Sequence, residues 1–219
     1  WLGLVGSEMC IRDRDDTEHN NLTHISSLQR IFPESYVWMD RFTMKNLELF
    51  NSNSINGFNL SDTIDETTTS MGSRKLKSWI AFPLIDKKEI KKRQEIVQSI
   101  MSDDEISRLL DINLNNISDI ERLMSKIATY KISPRELVNL KSSLENVDLI
   151  KDSLLVYSGV LKNYGKSLPN SKSIIREISK TLKDDSPVSI MKGDFIKDGF
   201  SKELDGLREI RCSGKEYLN

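Results

Sequence analysis

The chain has 219 residues, 37% of them hydrophobic and 30% charged, a balance that suits one soluble domain or one large domain with part of a neighbour. Its 32 Lys plus Arg nearly cancel its 33 Asp plus Glu, so no net field recruits or repels nucleic acid, and any such contact must come from local geometry or from sequence elsewhere. No apolar run approaches the roughly 18 residues of a membrane helix, and Cys10 and Cys212 lie at opposite ends with no second Cys or His at ligand spacing, which argues against a disulfide framework or a zinc site; a soluble, cytoplasmic protein is expected.

In chain order, residues 1–14 (WLGLVGSEMCIRDR) share no periodicity with the rest of the chain. They lack the basic n-region and the apolar length of a secretion signal and resemble translated sequencing-adapter sequence, so they are expected to stand outside the fold, taking Cys10 with them. His19 and His24 lie five apart in a polar stretch, not at the i, i+4 spacing of a helical metal pair, and read as solvated. Residues 36–39 are aromatic and β-prone and predict a short strand or extended lead-in, after which Asp40 precedes a helix over 43–50. Residues 51–59, rich in Asn, Ser and Gly, predict a loop, because such side chains compete with helix through local hydrogen bonds.

Beyond the loop the pattern is almost wholly helical. Ser70 can cap a helix over 71–81 in which Leu76, Trp79 and Ile80 share a buried face and Gly72 admits a neighbouring backbone. Arg74 stands within reach of a carboxylate such as Asp65 or Asp119. Pro83 and Asp86 then turn the chain into the next helix. Asp86 with Glu89, Ser118 with Glu121 and Ser133 with Glu136 have capping-box spacing and predict helix starts near 86, 118 and 133, the last helped by Pro134 at the first helical position.

From Ser133, Leu137, Leu140, Leu144, Val147, Ile150 and Leu154 lay an apolar stripe along a helix of about 25 residues, nearly 38 Å at about 1.5 Å per residue. Lys141, Glu145, Asp148 and Lys151 fall off that stripe. A helix of such length suits an elongated bundle. A further helix is predicted over 171–182, burying Ile174, Ile175, Ile178 and Leu182 and stopped by Ser186-Pro187. The β-prone residues on both sides of Gly193-Asp194 predict a short hairpin with Gly193 at positive φ. From Ser201 a last helix begins, and nothing near Asn219 reads as a stop signal.

Searching for chemistry, we find no G-x-x-x-x-G-K-[ST], G-x-G-x-x-G or G-x-S-x-G in the chain, and no His after residue 24, so phosphate cradles and His-activated nucleophiles are not expected here. The acidic cluster Asp62, Asp65 and Glu66 suits a helix end. Lys87, Lys88, Lys91, Lys92 and Arg93 form the densest basic run; a solvated helix face is the plain reading and phosphate binding the functional one.

One stretch carries a family signature. Leu60, Ile64, Asp65, Thr67, Thr69, Met71, Gly72, Arg74, Leu76 and Trp79, then Pro83, Leu84 and Asp86, then Ile90 and Arg93, come in an order that resembles the core domain of MutS mismatch-repair proteins. Upstream, Met39-Asp40 with Thr43 and residues 46–49 is similar to that domain's entrance; downstream, residues 118–123 and 134–137, Gly199-Phe200, Leu204-Asp205, Leu207-Arg208 and residues 214–216 keep the family's order. The chain departs from the pattern at Gly193-Asp194, where the family pairs glycines, and at Phe200, where it has Tyr.

The resemblance implies a mainly α fold, an elongated helical bundle of MutS core/lever type with a short β-hairpin and a short N-terminal strand. It assigns residues 15–35 to the end of a connector domain or a linker, 36–200 to the core domain, and 201–219 to the start of a lever helix leading to a clamp domain. It also implies a part of a DNA mismatch-repair ATPase that couples ATPase state to DNA clamping and holds no catalytic, cofactor or metal site of its own. In the full-length protein it implies ATP and Mg as cofactors, mismatched double-stranded DNA, a second copy and a MutL-type protein as partners, and no membrane. Asp65, Gly72, Arg74, Trp79, Pro83, Asp86, Arg93, Glu121 and Arg122 are the structural residues of the motif. Two alternatives remain on sequence: a MutS relative acting in recombination, and a stand-alone helical interaction scaffold.

Overall fold

The longest helix organises the others. Ser133 accepts a hydrogen bond from the Glu136 amide while the Glu136 side chain reaches back to the Ser133 amide, a complete capping box with Pro134 opening the helix, which runs Pro134–Val156 over 23 residues, or about 35 Å. We number the α-helices of the computed structural model, which describes residues 35–54 and 56–217, in chain order: α1 Arg41–Asn46, α2 Leu60–Ile64, α3 Ser70–Ala81, α4 Lys87–Met101, α5 Asp104–Asn115, α6 Ile120–Ala128, α7 Pro134–Val156, α8 Gly159–Ser167, α9 Lys172–Thr181 and α10 Lys202–Tyr217. The long α7 is packed by α5, α6, α8 and α9, and α4 closes the far side against α5 and α8. Residues 1–34, with Cys10, His19 and His24, lie outside the described residues, as do residue 55 and the side chain of Cys212.

Burial follows the predicted stripe. Leu140, Ile150 and Leu154 of α7 are buried, and Ile106 of α5 and Leu161 of α8 join the last two in the main core, edged by Ile96 and Ile100 of α4. Gly165 of α8 lets the two helices approach closely: a Cβ there would meet Leu154 Cβ at 3.0 Å and the Leu154 backbone at 3.4 Å. Asp148 departs from expectation. It is buried rather than solvated, and neither carboxylate oxygen has a hydrogen-bond partner among the described residues. The cause is the antiparallel seating of α9: Lys151 donates to the Pro169 carbonyl and Lys141 pairs with Asp184, so α9 covers the side of α7 on which Asp148 lies.

Several boundaries differ from the sequence reading by a cap. Thr69, not Ser70, caps α3, accepting from the Gly72 amide; Asp119, not Ser118, caps α6, accepting from the Arg122 amide; and Asp40 caps α1 directly, accepting from the Thr43 amide, so that helix occupies Arg41–Asn46 rather than 43–50. In each case the earliest side-chain acceptor that reaches a free first-turn amide sets the start.

Neither predicted strand element forms. Tyr36 makes a single antiparallel bridge with Leu84, the Val37 amide donates to the Pro83 carbonyl, and no strand is formed over residues 37–40. Around Gly193 the expected hairpin is replaced: Ile190–Lys192 close a 3-10 turn capped by Ser189, Gly193 has φ +64° as expected, and Asp194 comes next at +57°. Ile196 then bridges Leu182, with the Lys183 amide donating to Phe195 O and the Lys197 amide to Thr181 O, both at 2.9 Å. The β-prone residues after the turn thus pair with the end of α9, because the preceding residues have already spent their hydrogen bonds on the 3-10 turn.

A candidate functional site at the helical corner

The signature residues gather where α2, α3, α4 and α6 meet. The loop from α2 into α3 is built by short hydroxyl-to-carboxylate bonds. Asp65 accepts from the Thr67 amide at 3.1 Å, from the Thr67 hydroxyl and from the Ser73 hydroxyl of α3. The bond from Ser73, helped by those from Thr67, favours the charged form and holds the Asp65 carboxyl below its ordinary range. Gly72 sits in the first turn of α3 beneath this loop, where a Cβ would stand 3.0 Å from the Thr69 hydroxyl and 3.3 Å from Thr67 Cβ. Its close neighbours are therefore the side chains of the cap Thr69 and of Thr67 in the loop, not the backbone expected from sequence.

Two residues further, Arg74 spans to α6. Its Nη1 donates to Asp119 Oδ2 at 2.8 Å and its Nη2 to Asp119 Oδ1 at 2.7 Å, while Nε and Nη2 both donate to Glu121 Oε2, at 3.0 and 2.6 Å. A two-pronged guanidinium–carboxylate contact is the strongest common ion-pair geometry. The bond from Arg74 lowers the Asp119 carboxyl from its ordinary range against the opposing effect of partial burial, and the two carboxylates raise the Arg74 guanidinium. Asp119 does double duty, since the same carboxylate caps α6 through the Arg122 amide at 3.2 Å. Of the two predicted partners for Arg74, the structure chooses Asp119, and Asp65 is occupied elsewhere.

Trp79 is not a core residue. It is 40% exposed, α3 buries no residue fully, and the ring is covered by the guanidinium of Arg93 of α4, 3.8 Å from its centroid. The indole thus packs under a cation instead of entering an apolar interior. The turn between α3 and α4 is pinned from upstream: the Val37 amide donates to the Pro83 carbonyl at 2.8 Å, and Tyr36 meets Phe82 edge to face at 6.1 Å. Asp86 then caps α4, accepting from the Lys88 amide at 2.8 Å.

So Arg74 and Glu121 are brought together around Asp119, to which Arg122 contributes its backbone amide, Trp79 and Arg93 form a second contact, and Asp65, Gly72, Pro83 and Asp86 shape the turns between them. Sequence reasoning leaves Ser73 out of the site, and it names Thr69 in the signature and Asp119 as a possible partner of Arg74 without giving either its role as a helix cap. The contacts are charge-assisted hydrogen bonds and a ring–guanidinium stack, directional interactions that fix the orientation of α3 against α4 and α6. Among the described residues no group of three or more His, Cys, Asp or Glu side chains is arranged to hold a metal, and no helix is long and apolar enough to cross a membrane.

Comparison with known proteins gives one answer. The family described as MutS domain III matches residues 42–217. Proteins described as DNA mismatch repair protein MutS are similar along the chain: that of Christiangramia forsetii is 43% identical over 218 residues, 99% of this chain; that of Flavobacterium johnsoniae is 43% identical over 217 residues; and that of Parabacteroides distasonis is 41% identical over 220 residues. The chain spans about a quarter of the length of these curated relatives, 25% in each case.

Proposed function

The chain belongs to the MutS family, as its domain III, and from that premise we propose that it is the structural core of a DNA mismatch-repair ATPase, coupling the state of a nucleotide site outside these residues to the grip of the protein on mismatched duplex. ATP and Mg would be held elsewhere in the full-length protein, which would act as a homodimer and engage a MutL-type partner. The chain contributes no reacting group in this reading. Residues 36–200 serve as the core and α10 as the beginning of a lever.

The observation that carries the proposal is a continuous series of directional contacts from one end of the described chain to the other. The corner turn is held by Tyr36 and Val37; α3 is fastened to α6 through Arg74; α6 packs on α7, and α7 on α9. The end of α9 bridges Ile196, whose carbonyl accepts from Arg208 Nη2 of α10 at 2.9 Å, and Arg208 also pairs with Asp198. Packed helices joined by fork-shaped ion pairs are stiff, and coupling between distant sites needs such an element with discrete arrangements. Relatives described as mismatch-repair proteins at 43% identity favour repair over recombination.

The test is replacement. Domain III of the Flavobacterium johnsoniae protein is exchanged for this chain, and mutation frequency is measured in cells that otherwise lack MutS. Restoration of the low, repair-proficient frequency is expected; a frequency equal to that of cells without MutS would overturn the proposal.

A further inference from the structure

We propose that the lysine face of α4 is a sequence-independent contact for the phosphate backbone of duplex DNA, formed by Lys87, Lys88 and Lys91. Within residues 87–93 the chain places five cations and one carboxylate, although its total charge is −1. Glu89 is already engaged by Lys92. Lys87, Lys88 and Lys91 are exposed and make no ion pair among the described residues.

The placement opposes the stability of the helix itself. Lys87 and Lys88 occupy the first turn of α4, where the aligned peptide dipoles make the N-terminus positive and acids are favoured. Asp86 and Glu89 meet that preference in the same turn, and Lys87 and Lys88 are left facing solvent.

Geometry selects the ligand. At about 100° per residue, Lys87, Lys88, Lys91 and Lys92 fall on one arc of the helix, turned away from Ile96 and Ile100, which pack against the core. No apolar residue of α4 lies on that arc, and Glu95 is the carboxylate that does. Protein interfaces centre on apolar and aromatic anchors and are depleted in Lys, so an apolar-free lysine arc fits an acidic protein poorly. It fits phosphates. Lys87 and Lys91 are one turn apart, about 6 Å along the axis, close to twice the roughly 3.4 Å rise per phosphate on one DNA strand. The inference deepens the repair reading by naming a DNA-facing surface on this domain, and it rests on that reading for the choice of DNA.

The experiment titrates the chain into a fluorescent, perfectly matched 30-base-pair duplex at 50 and 150 mM salt, with K87Q/K88Q/K91Q alongside and helicity checked by circular dichroism. Three phosphate contacts predict a log–log salt slope of about −2.7, which is about a 20-fold loss of affinity across that salt range. The triple variant should bind at least tenfold more weakly at 50 mM. In the unaltered chain, the duplex should protect Lys87, Lys88 and Lys91 from acetylation, a readout that needs no variant to fold. Undetectable binding at 50 mM, unprotected lysines, or equal binding by a helical triple variant would overturn the proposal, as would equally tight binding of a polyglutamate peptide, which would point to an acidic protein. Failure here leaves the replacement test untouched, since that test reads mutation frequency; a chain that binds DNA through these lysines yet fails to restore repair loses the coupling role alone.

Discussion

Arg74 and Asp119, 45 positions apart, meet through two parallel hydrogen bonds of 2.8 and 2.7 Å, and the same Asp119 carboxylate caps the helix on which Glu121 receives Arg74 a second time. One side chain thus fixes both the start of α6 and its orientation against α3. The pair is only partly sheltered, with the Arg74 side chain 49% and the Asp119 side chain 20% exposed, so solvent screening limits what it contributes to stability. Arg74→Ala should destabilise by about 1 kcal/mol, and a double-mutant cycle with Asp119→Asn should give a coupling of about 0.5–1 kcal/mol. Arg74→Lys should recover little, because an ammonium cannot reproduce the fork. Thermal melts of these proteins check this; full recovery by Lys would mean that charge alone matters at the joint.

Acid should weaken the link between α6 and α7. Glu136 is hydrogen-bonded by Lys126 and by the Ser133 amide, and with Lys126 as the larger cause its carboxyl is lowered from 4.5 to about 2. A carboxyl whose folded value is depressed stabilises the fold fully above its unfolded value and loses that contribution as pH falls through the folded value. Urea midpoints should therefore be level down to about pH 5 and fall between there and pH 2, with Asp65 and Asp119, lowered for analogous reasons, adding to the slope. Glu136→Gln should flatten part of it; an unchanged profile in that variant would remove Glu136 from the explanation.

Two truncations separate core from corner. Ile106 is 1% exposed within the main cluster, and Ile106→Ala should cost about 2–5 kcal/mol. Trp79→Ala should cost about 1 kcal/mol, mainly the lost guanidinium stack and partial burial, well below the roughly 3–5 kcal/mol of a buried aromatic. Denaturant melts with comparable losses for the two variants would show that Trp79 is packed in solution.

That contrast shows what can be read from sequence. Period and caps place α7 within a residue or two and name its buried Leu140, Ile150 and Leu154, because a long amphipathic stripe and a capping box are local signals. The motif order identifies the corner. Sequence does not say that Trp79 finds Arg93 in place of an apolar interior, since that depends on how α3 crosses α4, nor that Asp148 is covered by α9. The hairpin fails for a related reason: β-prone residues on both sides of Gly193 are necessary for a hairpin, but the partner of Ile196 is Leu182, set by tertiary packing.

Tyr130 offers a stabilising change. It lies just past α6 at φ +55° and is 96% exposed, with its amide donating to Ile127 O and the Lys131 amide to Lys126 O, the paired bonds of a Schellman ending in which glycine is usual. A side chain there carries the left-handed penalty with no contact among the described residues to offset it, so Tyr130→Gly should raise stability by about 1 kcal/mol, or about 2–4 °C in melting temperature for a chain of this size. A lower melting temperature would mean that Tyr130 holds a contact in solution.

The coupling role is tested most directly by following ATP-driven release from a mismatch. In a MutS protein whose domain III is this chain, stopped-flow fluorescence would record dissociation from a labelled mismatched duplex after ATP addition, for the unaltered protein and for Arg74→Ala. If the Arg74 joint transmits the nucleotide state, the variant should keep mismatch affinity without ATP and ATP hydrolysis without DNA within about twofold, yet release the mismatch at least tenfold more slowly, about 1.4 kcal/mol in the barrier. Release at the unaltered rate, with affinity and hydrolysis intact, would contradict it.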